Sequence, residues 1–190
     1  MDSGCVEDGA GAAEGRGAEV KVLIDADAVQ RRIGQVANAL AASYGDQAPI
    51  LIGVLNGAAF FMMALLERLP AAWQQELQYD FVDLSSYQGS KSGQVRLHRD
   101  LVLDIAGRDV VVVDGIVDTG HTLAFLRTLL EDRRPRSLAV CALLDKPSKR
   151  QVGVDVDYCG FEIDDLFVVG CGMDLDQRYR ALPFVGVLEG

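Results

Sequence analysis

The segment Val110-Val111-Val112-Val113-Asp114-Gly115-Ile116-Val117-Asp118-Thr119-Gly120-His121-Thr122 sets an apolar run against a short loop rich in functional groups. The run ends in a carboxylate. The loop then carries Asp118, two threonines and Gly120 before a helical pattern begins. These residue types suit a phosphate cradle. Thr119 and Thr122 offer hydroxyls, Gly120 lets backbone approach closely, and a helix N-terminus offers unpaired N–H donors with partial positive charge. Two carboxylates beside an anion need another role, such as binding ribose hydroxyls, holding a metal ion or moving a proton. The plainer alternative is an ordinary turn in which Asp118 caps the helix. Other phosphate motifs fit less well. The chain has no GxxxxGK[ST] loop, and Gly170-Cys171-Gly172 lacks the third glycine and the βαβ setting of a dinucleotide fingerprint.

The elements around this loop alternate helix and strand. Asp25 is placed to cap a helix running to about Ser43, with Val29, Ile33, Val36, Ala37 and Leu40 on one face. Ile50 to Leu55 reads as a buried strand, Asn56-Gly57 as a turn, and Ala58 to Leu69 as a helix. Leu77 to Leu84 is strand-like, and Ser85 to Leu97 reads as a polar loop or mobile hairpin. Asp109 to Val113 is a strand, Asp114 to His121 a loop, and Thr122 to Glu131 a helix. Ser137 to Leu144, Phe161 to Val169 and Phe184 to Leu188 are further strands. The alternation predicts an α/β fold with a mainly parallel sheet flanked by helices, whose ligands bind at the carboxyl ends of the strands.

Of the 190 residues, 28 are Asp or Glu and 18 Lys or Arg, for a net charge of −10. Binding to nucleic acid or anionic membrane through bulk charge is disfavoured, so an anionic substrate needs a local site. Residues 1–19, rich in Gly, Ala and acids, read as a disordered tail, and 20–190 as one domain. Four cysteines without a CxxC pair, and two histidines, make a structural zinc site unexpected. Cys141 lies in an apolar run and reads as a buried free thiol, which suits a reducing, cytoplasmic location. No apolar run is long enough for a membrane span.

The segment Val113 to Gly120 resembles the phosphoribosyl pyrophosphate motif of the type I phosphoribosyltransferases. Leu143-Leu144-Asp145-Lys146-Pro147, Gly160-Phe161-Glu162-Ile163, Phe167-Val168-Val169-Gly170, and Met173-Asp174-Leu175 through Tyr179-Arg180 are similar to segments of its hypoxanthine-guanine branch. The resemblance implies the type I fold with a small hood and a mobile loop. It implies transfer of 5-phosphoribosyl from phosphoribosyl pyrophosphate to a 6-oxopurine through an oxocarbenium-like transition state.

It also implies roles by position. Asp118 is the acid–base group at purine N7, and Asp118, Thr119, Gly120, His121 and Thr122 hold the 5-phosphate. Asp114 and Gly115 fall at the acidic pair near the ribose, and Leu55, Asn56 and Gly57 at a pyrophosphate loop whose first peptide can be cis. Ser86 and Tyr87 fall on the closing loop, and Arg180 on the pyrophosphate. Lys146 meets the 6-oxo group, Phe167 stacks on the base and Val168 meets its edge. Asp174 lies beside the base and, with Asp114, holds Mg²⁺. Read alone, Lys146 is a surface lysine in a basic loop with Lys149 and Arg150, and Phe167 a core residue.

Two positions depart from the pattern. Asn56 replaces a frequent cation, and Gly115 replaces the second acid. The missing carboxylate predicts weak phosphoribosyl pyrophosphate binding that Gly115→Asp would tighten. Three functions remain open: hypoxanthine or guanine salvage, a preference for xanthine, and a non-catalytic nucleotide-binding regulator. The resemblance further implies a homo-oligomer, a dimer or tetramer, with no nucleic-acid or membrane partner.

Overall fold

A computed structural model describes residues 19–86 and 95–188. Nine strands form two sheets: β1 (Val20–Ile24), β2 (Ile50–Leu55), β3 (Tyr79–Ser86), β4 (Val95–Arg99), β5 (Asp109–Val117), β6 (Ser137–Asp145), β7 (Tyr158–Glu162), β8 (Val168–Val169) and β9 (Val185–Leu188). The α-helices are α1 (Ala26–Tyr44), α2 (Ala59–Leu66) and α3 (His121–Glu131). The larger sheet has the order β4-β3-β2-β5-β6-β7 and is parallel except for the β3–β4 pair. The smaller one, β1-β9-β8, is antiparallel and forms the hood.

The unbroken apolar runs of β2 and β5 follow from burial on both faces. Leu51, Val111 and Val113 point into one core with Val29, Ile33 and Leu40 of α1, Phe61 and Leu65 of α2, and Val168 and Val185 of the hood. Ile50, Ile52, Val110 and Val112 point into the other, with Leu123, Leu126 and Leu130 of α3. The expected face of α1 is the buried one, and the Asp25 carboxylate caps it, accepting from the Ala28 N–H at 2.8 Å. Cys141 is a buried free thiol, and burial pushes its proton affinity up.

Three expectations need correction. The strand β5 does not stop at Val113. Asp114, Ile116 and Val117 continue to pair with β6 opposite Ala142, Leu144 and Asp145, so the loop shrinks to Asp118, Thr119 and Gly120. Asp118 does not cap α3. Gly120 does, in a left-handed conformation (φ 90°) and without a side-chain cap. The strand read over Phe161 to Val169 is two, β7 in the large sheet and β8 in the hood. The polar stretch after Ser85 takes the hairpin alternative, with β4 paired antiparallel to β3, and β1 is a strand the sequence pattern does not predict. Residues 87–94, with Tyr87, lie outside the described residues, as does the proposed tail except Glu19.

Candidate active site

The carboxyl ends of β2, β3, β5 and β6 meet the hood around a cleft of about 900 Å³. Its wall includes Leu55 at the end of β2 with Asn56 and Gly57 after it, Asp83 and Ser85 on β3, Asp118 after β5, Lys146 after β6, and Phe167, Val168, Asp174 and Arg180 from the hood side. A smaller pocket of about 190 Å³ adjoins it, lined by Asp114, Asp118, Thr119, Gly120 and Thr122. Its size and lining, at the uncapped start of α3, suit one phosphate group.

The loop Asp118 to Gly120 is held from behind. The Lys146 N–H donates to the Val117 carbonyl at 2.9 Å, and Gln151 and Val152 N–H donate to the Thr119 carbonyl at 2.9 and 3.1 Å. The Arg150 guanidinium donates to the Asp118 carbonyl at 2.8 Å and pairs with the largely buried Asp145. With these carbonyls tied on one side, the loop offers its other face to the anion pocket. His121 turns its ring toward Gln151, Nε2 to Oε1 3.2 Å, and does not line the small pocket. It contributes to the helix start by its backbone.

Asp118 is divided between two environments. Its Oδ2 lies 3.0 Å from Lys149 Nζ, while Oδ1 is buried with no hydrogen-bond partner among the described residues. A buried acceptor without a donor is costly unless a ligand supplies one. Asp114 sits deeper. Burial pushes its carboxyl up to about 7, against the N–H groups of Gly115 and Ile116, which favour the anion.

Lys146 is 4% exposed, which removes the surface-lysine alternative, and its Nζ lies 3.8 Å from Asp165 Oδ1. Phe167 is 56% exposed at the rim, so it is a free aromatic face, not core. Asp174 Oδ1 pairs with Arg180 at 2.8 Å, and its Oδ2 accepts from the Gln177 N–H at 2.8 Å. Arg180 also donates to the Gly172 carbonyl at 2.6 Å. The Leu55–Asn56 peptide is cis. Gly115 and Gly172 both pack against the Gly57 carbonyl, and a Cβ on either would overlap it. Gly115 therefore has a steric reason in this loop, and the expected gain from Gly115→Asp does not stand.

The cleft also holds Asp83, Lys149, Asp165, Met173 and Gln177, which sequence reasoning did not select. Lys149 had been noted only as a neighbour in the basic loop. Asp165, two residues before Phe167, carries no motif of its own. Ser86 is the last residue of β3, next to Ser85 of the cleft wall.

The phosphoribosyl transferase domain model matches residues 21–176. This chain belongs to the phosphoribosyltransferase family. Among its relatives, the hypoxanthine-guanine phosphoribosyltransferase of Bacillus subtilis is 40% identical over 171 residues, covering 89% of this chain and 93% of the relative. The hypoxanthine phosphoribosyltransferase of Escherichia coli K12 is 41% identical over 171 residues, covering 88% and 94%. The chain also matches the bifunctional protein TilS/HprT of Listeria innocua at 41% identity, spanning 26% of that longer protein. A solved structure of Trypanosoma cruzi hypoxanthine phosphoribosyltransferase in complex with the product IMP has a TM-score of 0.82 at 35% identity, covering 94% of this chain and 98% of that one. Within the family, the chain groups with the hypoxanthine-guanine phosphoribosyltransferases.

A magnesium ion is the group this family resemblance implies. Asp174 and Asp114 offer only hard oxygen donors, and among the described residues no three His, Cys, Asp or Glu side chains are placed to hold a metal ion together. A donor set of one or two carboxylates completed by substrate oxygens and water fits Mg²⁺.

Proposed function

We propose that this chain transfers the 5-phosphoribosyl group of phosphoribosyl pyrophosphate to hypoxanthine or guanine, giving IMP or GMP and pyrophosphate in purine salvage. The observation that carries the reading is the Asp118 carboxylate on the same cleft as the Lys146 ammonium and the exposed Phe167 ring. On a 6-oxopurine, the N7–H and the 6-oxo group are neighbours on one edge. The Asp118 carboxylate accepts the N7 proton as the C1′–N9 bond forms and the bond to pyrophosphate breaks. Lys146 donates to the 6-oxo group, which rewards a carbonyl and penalises the 6-amino group of adenine. Phe167 stacks on the base, and the Val168 backbone meets its edge.

The loop Asp118 to Thr122 holds the 5-phosphate. Arg180, with the backbone of Leu55 to Gly57, holds pyrophosphate, the guanidinium fork suiting two of its oxygens. Asn56 brings no charge, so this side relies on backbone N–H groups. Asp174 and Asp114 would hold a Mg²⁺ ion, which would supply charge neutralisation for the pyrophosphate leaving group. We place Ser86 and Tyr87 on the segment that covers the site during reaction. The regulator reading drew its support from Gly115, and the packing against Gly57 gives that glycine a steric reason of its own.

The working protein in this reading is a cytoplasmic homo-oligomer, a dimer or tetramer, with residues 20–190 as its catalytic domain. Among the described residues no helix is long and apolar enough to cross a membrane. The wholly apolar α2, with Met63 half exposed, supports self-association. The test is a spectrophotometric assay with hypoxanthine, guanine, xanthine and adenine, each with phosphoribosyl pyrophosphate and Mg²⁺. Turnover of hypoxanthine or guanine is expected. Turnover of xanthine alone selects the second reading, and turnover of none rejects the enzyme.

A further inference from the structure

The turn Pro147–Lys149 carries Lys149 into the cleft. Its Nζ lies 3.0 Å from Asp118 Oδ2 and 3.1 Å from Asp165 Oδ1. The same Asp165 oxygen lies 3.8 Å from Lys146 Nζ. Charge thus alternates along Asp118, Lys149, Asp165 and Lys146, four side chains contributed by three separate segments. A carboxylate free to rotate could present either oxygen to a ligand. Here one oxygen is taken by Lys149 and the other is buried without a partner. The two flanking carboxylates raise the proton affinity of Lys149, which keeps it a cation.

We propose that Lys149 and Asp165 are positioning residues for the transfer reaction. Lys149 holds Oδ2 of Asp118 and so fixes the rotation of the carboxylate beside the purine. Asp165 holds Lys149 and Lys146 apart at a set distance, which spaces an acceptor and a donor to match N7–H and the 6-oxo group. The inference rests on the reading of Asp118 given above. Neither residue touches the substrate in this role. Lys149 and Asp165 keep 36% and 52% of their side-chain surface exposed, so solvent screens the pairs and the effect is moderate.

The test uses Lys149→Met, which keeps the side-chain length and removes the charge, and Lys149→Arg, which restores it. Lys149→Met is expected to lower kcat about tenfold and leave KM for phosphoribosyl pyrophosphate within about twofold, with Lys149→Arg recovering most of the loss. Added to Asp118→Asn, it is expected to cost less than about twofold more, because the group it pins is gone. Asp165→Asn is expected to lower kcat and raise KM for hypoxanthine together, and no change in either overturns its part. A full loss in the Asp118→Asn background, or a raised KM for phosphoribosyl pyrophosphate at unchanged kcat, makes Lys149 a substrate ligand and overturns the proposal. A crystal structure of Lys149→Met gives a readout independent of turnover. The Asp118 carboxylate is expected to turn, and an unmoved carboxylate overturns the pinning. An inactive parent rejects the reading of the site, and the crystallographic result then still decides whether Lys149 orients Asp118.

Discussion

The carbonyl oxygen of Gly57 lies 2.6 Å from the position a Cβ would take on Gly115, and the Gly57 carbonyl carbon 2.9 Å from it. Neither atom can yield as the end of a flexible side chain could, because both belong to the backbone of the loop after β2. Any side chain at 115 must push that loop, the one assigned to pyrophosphate. Gly115→Asp is therefore expected to destabilise the protein by about 1–3 kcal/mol, the usual cost of overpacking. It is also expected to raise KM for phosphoribosyl pyrophosphate. Thermal unfolding together with steady-state kinetics of the variant checks both. A lower KM in a protein of parental stability counts against the steric account.

Asp118→Asn is expected to lower kcat by about 10²–10⁴, the span for a positioned acid–base group. The amide keeps the loop's shape, so binding of phosphoribosyl pyrophosphate should change little. Turnover within a few-fold of the parent, measured with hypoxanthine, would remove the proton-transfer role.

Lys146→Ala is expected to raise KM for hypoxanthine and guanine. The charge-assisted hydrogen bond it removes is worth about 1.5–3 kcal/mol, or roughly 10–150-fold. Adenine should be a very poor substrate of the parent protein. Initial rates with the four bases decide this, and efficient use of adenine would contradict the assignment of Lys146.

Asp114 gives a pH-dependent expectation. Its carboxyl titrates near 3.8 in an unfolded chain and is pushed up to about 7 by burial in the folded one. Between those values the folded form holds a proton that the unfolded chain has released. Stability therefore falls as pH rises through this window, and the full cost is present above it. Asp114→Asn removes the ionisation and is expected to raise Tm of the ligand-free protein at pH 8. A gain of about 2–4 °C corresponds to roughly 1 kcal/mol in a domain of this size. The gain should shrink toward pH 4. Scanning calorimetry across that range checks it, and a gain independent of pH would point to packing instead.

Local pattern made some elements legible and left others hidden. The helix α1 and strand β2 were readable because their apolar spacing is regular and their ends carry Asp25 or Asn56-Gly57. The end of β5 was not. Asp114-Gly115 has the composition of a turn, but pairing with β6 carries the strand on through Val117. The division between β7 and β8 was hidden too, since which sheet a short strand joins depends on partners far away in sequence. In the site, Asp118 and Lys146 stood out because they lie in motifs. Lys149 and Asp165 did not, because their meaning comes from meeting Asp118 and Lys146 in space. Gly115 was misread for the same reason: its neighbour Gly57 is 58 positions earlier in the chain.

The bonds behind the Asp118–Gly120 loop come mainly from main-chain N–H groups, those of Lys146, Gln151 and Val152. Mutation of a side chain leaves such donors in place, so the scaffold that aims the loop is insulated from most amino-acid replacements. Proline is the exception, because it alone deletes the N–H. The segment should thus show an unusual pattern of tolerance, permissive to exchange of Gln151 or Val152 for most residues yet closed to proline at either. Because the segment that donates these bonds also bears Lys146, the phosphate loop and the base-reading lysine form one mechanical unit. Displacement of either is transmitted directly to the other, which gives the two substrate subsites a common alignment without any side chain having to bridge them.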